Sequence, residues 1–114
     1  MARLLISSPD GKRGILEITK PVITVGRGHS NDLVINDFSV SRFHAFVKEG
    51  GPGHWLLQDA GSTNGSTVNG RSVPRQGHGP STELSSGDDV RLGQVELTFL
   101  DSEALVSFAL RLER

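Results

Sequence analysis

The sequence of 114 residues contains no cysteine and no long apolar run. The absence of cysteine excludes disulfide bonds and thiol chemistry, and it is compatible with a reducing compartment. No stretch approaches the ~20 apolar residues of a membrane-spanning helix. The first residues hold three apolar side chains in a row, at 4–6, which is too few for a secretory signal. We therefore expect a cytoplasmic (intracellular) location and no membrane partner.

An excess of basic residues is also missing. Twelve Lys and Arg residues stand against thirteen Asp and Glu residues, which gives a formal net charge of -1. Nonspecific affinity for nucleic acids comes mainly from Lys and Arg contacts with phosphates. Because this chain has no surplus of such residues, we expect no nucleic-acid partner.

Signatures of metal and nucleotide sites are lacking too. Four histidines lie apart from one another, without ligand spacing such as i, i+4: His29, His44, His54 and His78. The segment 26–28 has the glycines of a phosphate loop but not the Gly-Lys-Ser/Thr of a nucleotide-binding P-loop. We expect neither a metal ion nor another cofactor.

Short stretches of alternating polarity dominate the chain. In the last of them, Val95, Leu97 and Phe99 face one way and the residues between them are polar. The pattern predicts strands at 4–7, 15–19, 22–26, 33–35, 45–49, 55–58, 89–92 and 94–100. A chain of this length forms one domain, and short strands separated by turn signals indicate an antiparallel β-sandwich or barrel. We predict an all-β sandwich.

Two segments depart from this pattern. Residues 74–86 contain two Pro and two Gly, which predicts an exposed loop, with Leu84 as a candidate short strand. Residues 101–114 have Ser102 as a candidate N-cap, followed by apolar residues at helical spacing. We predict a short C-terminal helix there, which packs on the sandwich or on another subunit.

The run 59–70 carries three glycines, four hydroxyl side chains and two Asn-Gly pairs. Asn-Gly strongly favours the type I′ turn of a β-hairpin, because both residues tolerate positive φ. The run predicts a tightly folded loop whose amides and hydroxyls can hold an anion. Two ordinary hairpin turns are the alternative.

Basic and hydroxyl side chains precede this run. Arg27 ends a strand, where its planar fork of donors suits a phosphate or a carboxylate, or is simply solvated. Ser41 and His44, with Asp59 as an orienting group, have the residue types of a hydrolase triad. Three residues apart at a loop-to-strand junction, Ser41 and His44 are better explained by hydrogen bonds that fix the loop. We therefore expect a binding protein and not an enzyme.

The chain carries several motifs in order: Gly26-Arg27, Ser41-Arg42-Phe43-His44, the run 57–65, Val68-Asn69-Gly70, Leu84 and the run 87–93. In this order and spacing they resemble the forkhead-associated (FHA) domain over about residues 3–100. The resemblance implies an eleven-stranded sandwich of two twisted sheets. It also implies recognition of phosphothreonine in partner proteins through loops at one end of the sandwich.

The resemblance further implies roles for single residues. Arg27 and Ser41 resemble the phosphate-binding arginine and hydroxyl, and Arg42 lies where a polar or basic side chain often adds a contact. Thr63 resembles a further phosphate ligand and Asn64 the residue that bonds the peptide backbone. Four residues resemble positions that shape loops without touching the ligand: Gly26, His44, Gly65 and Asn69.

The implied function is a signalling module that binds a Thr-phosphorylated partner, which requires a Ser/Thr protein kinase upstream. The alternative is a phosphate-independent scaffold or oligomerisation domain that uses a sheet face or an apolar stripe in 101–114. We expect residues 1–100 to form the FHA-like domain and 101–114 a C-terminal extension with no counterpart in the family. The 74–86 loop is long for the family. Because such domains usually adjoin other modules, we expect a piece of a longer protein.

Overall fold

The computed structural model describes residues 3–7 and 13–100. These residues form eleven strands in two sheets, which confirms the predicted sandwich. The strands are β1 (Arg3–Ser7), β2 (Arg13–Glu17), β3 (Val22–Gly26), β4 (Leu33–Val34), β5 (Ala45–Gly51), β6 (His54–Asp59), β7 (Ser66–Val68), β8 (Arg71–Ser72), β9 (Thr82–Leu84), β10 (Asp89–Leu92) and β11 (Val95–Leu100). One sheet has the order β2-β1-β11-β10-β7-β8, and the other has the order β4-β3-β5-β6-β9.

The core lies between the two sheets. In β11 the apolar residues Val95, Leu97 and Phe99 are buried, and the polar residues between them lie on the outer side. The ring of Phe99 contacts that of Trp55 on β6, with centroids 6.3 Å apart. Because β6 and β11 belong to different sheets, this aromatic pair joins the two layers.

One strand pair departs from the predicted antiparallel arrangement. Strand β4 runs parallel to β3, with Val25 opposite Leu33. The reason lies in the intervening loop. The Asp32 carboxylate accepts hydrogen bonds from the Thr24 backbone N–H and hydroxyl, and the Asp32 N–H donates to the Thr24 hydroxyl. These bonds return the chain beside β3 in the same direction.

The segment 74–86 is only partly a loop. Its last part forms β9, in which Leu84 pairs with Trp55 and is buried, as its apolar character predicts. The Asn69-Gly70 pair joins β7 to β8 as a two-residue turn with φ of 51° and 84°, the signs that a type I′ turn requires. The predicted C-terminal helix at 101–114 lies outside the described residues. Within the described ranges no helix is long and apolar enough to cross a membrane.

Candidate functional site

Three loops meet at one end of the sandwich: the 27–32 loop, the 35–44 loop and the 60–65 loop. The backbone N–H of Arg27 donates to the carbonyl oxygen of Ser41 at 2.9 Å. The backbone N–H of Thr63 donates to Oγ of Ser41 at 3.0 Å. Ser41 is therefore bonded to both neighbouring loops, and residues that are 14 and 22 positions from it in the sequence are brought to its side.

The carboxylate of Asp59 organises the 60–65 loop. One of its oxygens accepts the backbone N–H groups of Gly61 and Ser62, and the other accepts the hydroxyls of Ser62 and Ser66, all within 2.8 Å. Burial raises the pKa of Asp59, but these hydrogen bonds together lower the pKa below its ordinary value. The buried carboxylate is thus ionised and holds the loop in place. The sequence places Asp59 at the start of this loop and suggests its side chain as an orienting group for His44, whereas in the structure the carboxylate is bonded to Gly61, Ser62 and Ser66.

Asn64-Gly65 does not form the second type I′ turn that the sequence suggests. Gly65 has a φ of 84°, but Asn64 is not among the residues with positive φ, which a type I′ turn would require. Instead, the N–H of Gly65 donates to Oγ of Ser62 at 2.9 Å, which closes a loop nucleated by Asp59. This conformation leaves the side chains of Thr63 and Asn64 exposed.

The imidazole of His44 is fully buried beneath the site. Its Nδ1 accepts the backbone N–H of Ser41 at 3.0 Å, and its Nε2 donates to the carbonyl oxygen of Gly65 at 2.8 Å. The ring therefore ties two loops together. It does not contact the hydroxyl of Ser41, and Asp59 is engaged by serines, so these three residues are not arranged as a nucleophile, base and orienting group.

A buried amide, which sequence reasoning missed, ties the 27–32 loop to the 35–44 loop. Nδ2 of Asn31 donates to the carbonyl oxygens of Gly28 and Arg42 at 2.7 and 2.6 Å, and the residue is 7% exposed. Gly26 leaves room for this arrangement, because a Cβ on it would lie 2.1 Å from the Arg42 carbonyl oxygen. No periodicity marks a single buried polar residue in a loop, which explains why the sequence did not reveal it.

Two exposed arginines adjoin Ser41: Arg27 is bonded to it through the backbone, and Arg42 follows it in the sequence. Nε of Arg27 donates to the carbonyl oxygen of Val40 at 3.0 Å, so the base of the guanidinium is fixed. Among the described residues its terminal amino groups have no acceptor, and Arg42 forms no side-chain hydrogen bond or ion pair. These cations are available for an anion from solution.

Polar groups of the 60–65 loop complete the site. Nδ2 of Asn64 donates to the carbonyl oxygen of Ser39 at 2.8 Å, which orients the amide and leaves its Oδ1 as an acceptor. The hydroxyls of Ser41 and Thr63 have no acceptor within the described part of the chain. One end of the sandwich thus presents two cations, two hydroxyls and an amide, all accessible to solvent.

Asn69 lies outside the group of loops around Ser41. It is separated from the 60–65 loop by β7, and its side chain bonds to the Asp88 carboxylate and the Asp89 N–H. It shapes the β7–β8 turn at the far end of that strand and not the loops around Ser41. Within residues 3–7 and 13–100, no group of His, Asp and Glu residues could hold a metal ion.

The FHA domain family model matches residues 23–93, which is more than half of the chain. The chain belongs to the FHA domain family. Its matched segment runs from β3 through β10 and contains all three loops of the site. Membership in a family of binding modules agrees with a site that is built from loops and is open to solvent.

This FHA domain is similar in sequence to two curated proteins, one named an inhibitor and one named a regulator. It is 37% identical over 91 residues to the oxoglutarate dehydrogenase inhibitor of Corynebacterium diphtheriae, covering 80% of this chain and 57% of that protein. It is also 37% identical over 91 residues to the glycogen accumulation regulator GarA of Mycolicibacterium smegmatis, covering 79% and 51%. The chain therefore spans about half the length of these relatives.

A solved FHA domain has the same fold. It comes from a structural and functional study of phosphothreonine-dependent FHA domain interactions. That structure superimposes with a TM-score of 0.70 at 30% sequence identity, covering 88% of this chain and 95% of the solved one.

Proposed function

We propose that this FHA domain binds phosphothreonine-containing segments of partner proteins through the loops around Ser41. The observation that carries the proposal is the pair of guanidinium groups on Arg27 and Arg42, which have no carboxylate partner among the described residues. A phosphothreonine carries about -1.5 to -2 charges at neutral pH and three acceptor oxygens. Such a dianion supplies the charge and the acceptors that these side chains lack.

Each polar group of the site has a role in this proposal. Arg27 and Arg42 neutralise the phosphate, and the hydroxyls of Ser41 and Thr63 donate to its oxygens. The Oδ1 of Asn64 accepts an N–H of the peptide backbone beside the phosphothreonine. The nearby His44, Gly26 and Gly65 hold the loops in shape.

The strength of binding follows from these contacts. Each charge-assisted hydrogen bond contributes roughly 1.5–3 kcal/mol net. Two or three of them, less the cost of ordering a flexible peptide, place the affinity near the micromolar range, about -8 kcal/mol.

We infer that the domain acts by binding and not by catalysis, because Ser41 lacks a base and its hydroxyl accepts from a backbone amide. One curated relative is named an inhibitor and the other a regulator, which supports a regulatory role. The partner is then a protein phosphorylated on threonine by a Ser/Thr kinase, and the setting is the cytoplasm.

A phosphothreonine peptide that binds the domain is first selected from an immobilised peptide library. Calorimetry then compares that peptide with its unphosphorylated form and with its phosphoserine form. We expect the domain to bind only the phosphothreonine form of the peptide. The Arg27→Ala variant should lose this binding, while its melting temperature changes little. Arg13→Ala, at an exposed position on β2, is the matched control. Unchanged affinity of Arg27→Ala, or equal binding of the unphosphorylated peptide, would overturn the proposal.

A further inference from the structure

Strand β2 is an edge strand of the six-stranded sheet. It pairs with β1 on one side, and within residues 3–7 and 13–100 no strand pairs with it on the other. Its five residues make it the longest of the four edge strands, because β4 and β8 have two residues each and β9 has three. Edge strands present backbone N–H and C=O groups that can pair with a further strand.

The β2 edge lacks features that prevent such pairing. The strand contains no proline and no lysine, and its register with β1 continues without a bulge. At its centre Ile15 is 65% exposed, although a β-branched apolar side chain favours a half-buried position in a sheet. An added strand would satisfy the backbone groups of the edge and cover apolar surface of Ile15.

The sequence of β2 is complementary in charge to itself. It reads Arg-Gly-Ile-Leu-Glu, with a cation and an anion each two residues from the central isoleucine. When two copies pair antiparallel with Ile15 opposite Ile15, Arg13 of each copy lies opposite Glu17 of the other. Residues directly opposite each other share a face of the sheet and have Cβ atoms about 5 Å apart. Two pairs of opposite charge then flank a central apolar pair.

The charged groups are accessible for this pairing. Arg13 is exposed and, among the described residues, has no ion-pair or side-chain hydrogen-bond partner. Glu17 is exposed too, and although it has an interaction within its own chain, a carboxylate can accept several hydrogen bonds. An antiparallel pairing centred on Gly14 or on Leu16 would instead place Ile15 opposite a charged residue. The complementarity therefore selects one register.

We propose that β2 is a self-association edge, at which two copies of this chain pair antiparallel about a two-fold axis next to Ile15. The occupant is a second copy because every residue of the strand finds its complement within the same five residues. An isologous interface requires this property, since the same surface of both subunits must fit itself. The same register places Gly14, which has no side chain, opposite Leu16 of the other copy.

Self-pairing leaves the phosphopeptide loops open. In the sheet, three strands separate β2 from β7, which follows the 60–65 loop. An antiparallel pairing reverses the strand direction between the copies, and the loops around Ser41 lie at one end of each sandwich. The two sites of the dimer therefore face in opposite directions and can bridge two phosphorylated partners. The bridging role rests on the proposed function, whereas the self-association does not.

Sedimentation equilibrium of the full chain, over protein concentrations from micromolar to millimolar, tests the self-association. We expect wild type to show a monomer–dimer equilibrium. Arg13→Glu should weaken the dimer about tenfold, because it replaces two attractive pairs by two repulsive pairs. Arg71→Glu is the matched control, since Arg71 is exposed on β8 at the opposite edge of the same sheet.

A charge exchange tests the register. Glu17→Arg alone should weaken the dimer as Arg13→Glu does, and the double variant Arg13→Glu/Glu17→Arg should recover it. A mixture of the two single variants should form a heterodimer, because each then supplies the charges that the other lacks. Thermal melting of each variant shows that it is folded before its mass is measured.

Each contrary outcome overturns a stated part of this inference. A monomer at every concentration of wild type overturns the self-association. A dimer that persists in Arg13→Glu and in Glu17→Arg is formed by another surface, residues 101–114 included, and overturns the role of β2. A folded double variant that stays monomeric overturns the register. The proposed function is measured separately, because Arg13→Glu should bind a phosphothreonine peptide with wild-type affinity, and failure of that peptide to bind wild type overturns only the bridging role.

Discussion

Nε2 of His44 donates a hydrogen bond to the carbonyl oxygen of Gly65 at 2.8 Å, across 21 residues of sequence. The opposite nitrogen of the ring accepts the N–H of Ser41. A single buried imidazole thereby sets the distance between two loops that carry most of the proposed ligand-binding groups. The contacts define the neutral Nε2–H form of the ring, since Nδ1 must accept.

We expect His44→Ala to lower the free energy of unfolding by about 2–4 kcal/mol. The substitution leaves a cavity and removes the partners of the Ser41 N–H and the Gly65 carbonyl. Urea denaturation measures the stability, and calorimetry measures the accompanying loss of phosphopeptide affinity. His54→Ala, at an exposed position on β6, serves as the control and should change neither quantity appreciably. If His44→Ala unfolds with the same free energy as wild type, the ring does not stabilise the two loops.

The lowered pKa of Asp59 predicts that the free energy of unfolding decreases in acid. Its pKa is lower in the folded protein than in the unfolded chain, where it is about 3.9, so the unfolded state binds more protons in acid. The stabilisation is complete above that value and is lost as the pH falls through the folded-state pKa. We expect the free energy of unfolding to decline below about pH 4.

The variant Asp59→Asn isolates this effect. At neutral pH it should be less stable by about 1–3 kcal/mol, because two serine hydroxyls lose their charged acceptor. The difference from wild type should shrink as the pH falls from 6 to 2.5. Asp89→Asn, at an exposed position on β10, should follow the wild-type profile. A constant difference between Asp59→Asn and wild type at all pH values would contradict the assignment.

Asn31→Asp tests the amide that joins the 27–32 and 35–44 loops. The substitution keeps the shape of the side chain but places a carboxylate oxygen against the carbonyl oxygens of Gly28 and Arg42. We expect a loss of about 1–3 kcal/mol in stability and a weaker affinity for phosphothreonine peptides. Asn36→Asp, at an exposed position in the 35–44 loop, has the same charge change and should be nearly neutral. Similar behaviour of the two variants would refute the role given to Asn31.

Gly26 and Gly28 differ in how much room each has for a side chain. A Cβ on Gly26 would lie 2.1 Å from the carbonyl oxygen of Arg42, whereas one on Gly28 would lie 3.2 Å from the same atom. We expect Gly26→Ala to displace the Arg42 segment and to impair both folding and peptide binding. Gly28→Ala should be tolerated with a small loss. Thermal melting and peptide titration of both variants check the order, and a less stable Gly28→Ala would be inconsistent with this packing.

Much of the fold follows from local patterns. Strand β11 has period-two alternation, and the Asn69-Gly70 turn has a dipeptide that tolerates positive φ at both positions. The alternation predicts β2 at 15–19, whereas the strand is Arg13–Glu17. The sequence does not predict the parallel pairing of β4, because that pairing depends on bonds between Asp32 and Thr24 that no dipeptide indicates.

The sequence by itself determined the residue types of the site and their spacing along the chain, because the family motifs are short and local. Only the tertiary structure decided which groups support them. Asn31 donates to the carbonyl oxygen of Arg42, 11 residues away, and Ser41 accepts the N–H of Thr63, 22 residues away. Ser39 accepts an N–H from Gln94, 55 residues away. Such contacts form only when the packed sheets bring the ends of distant strands to one place.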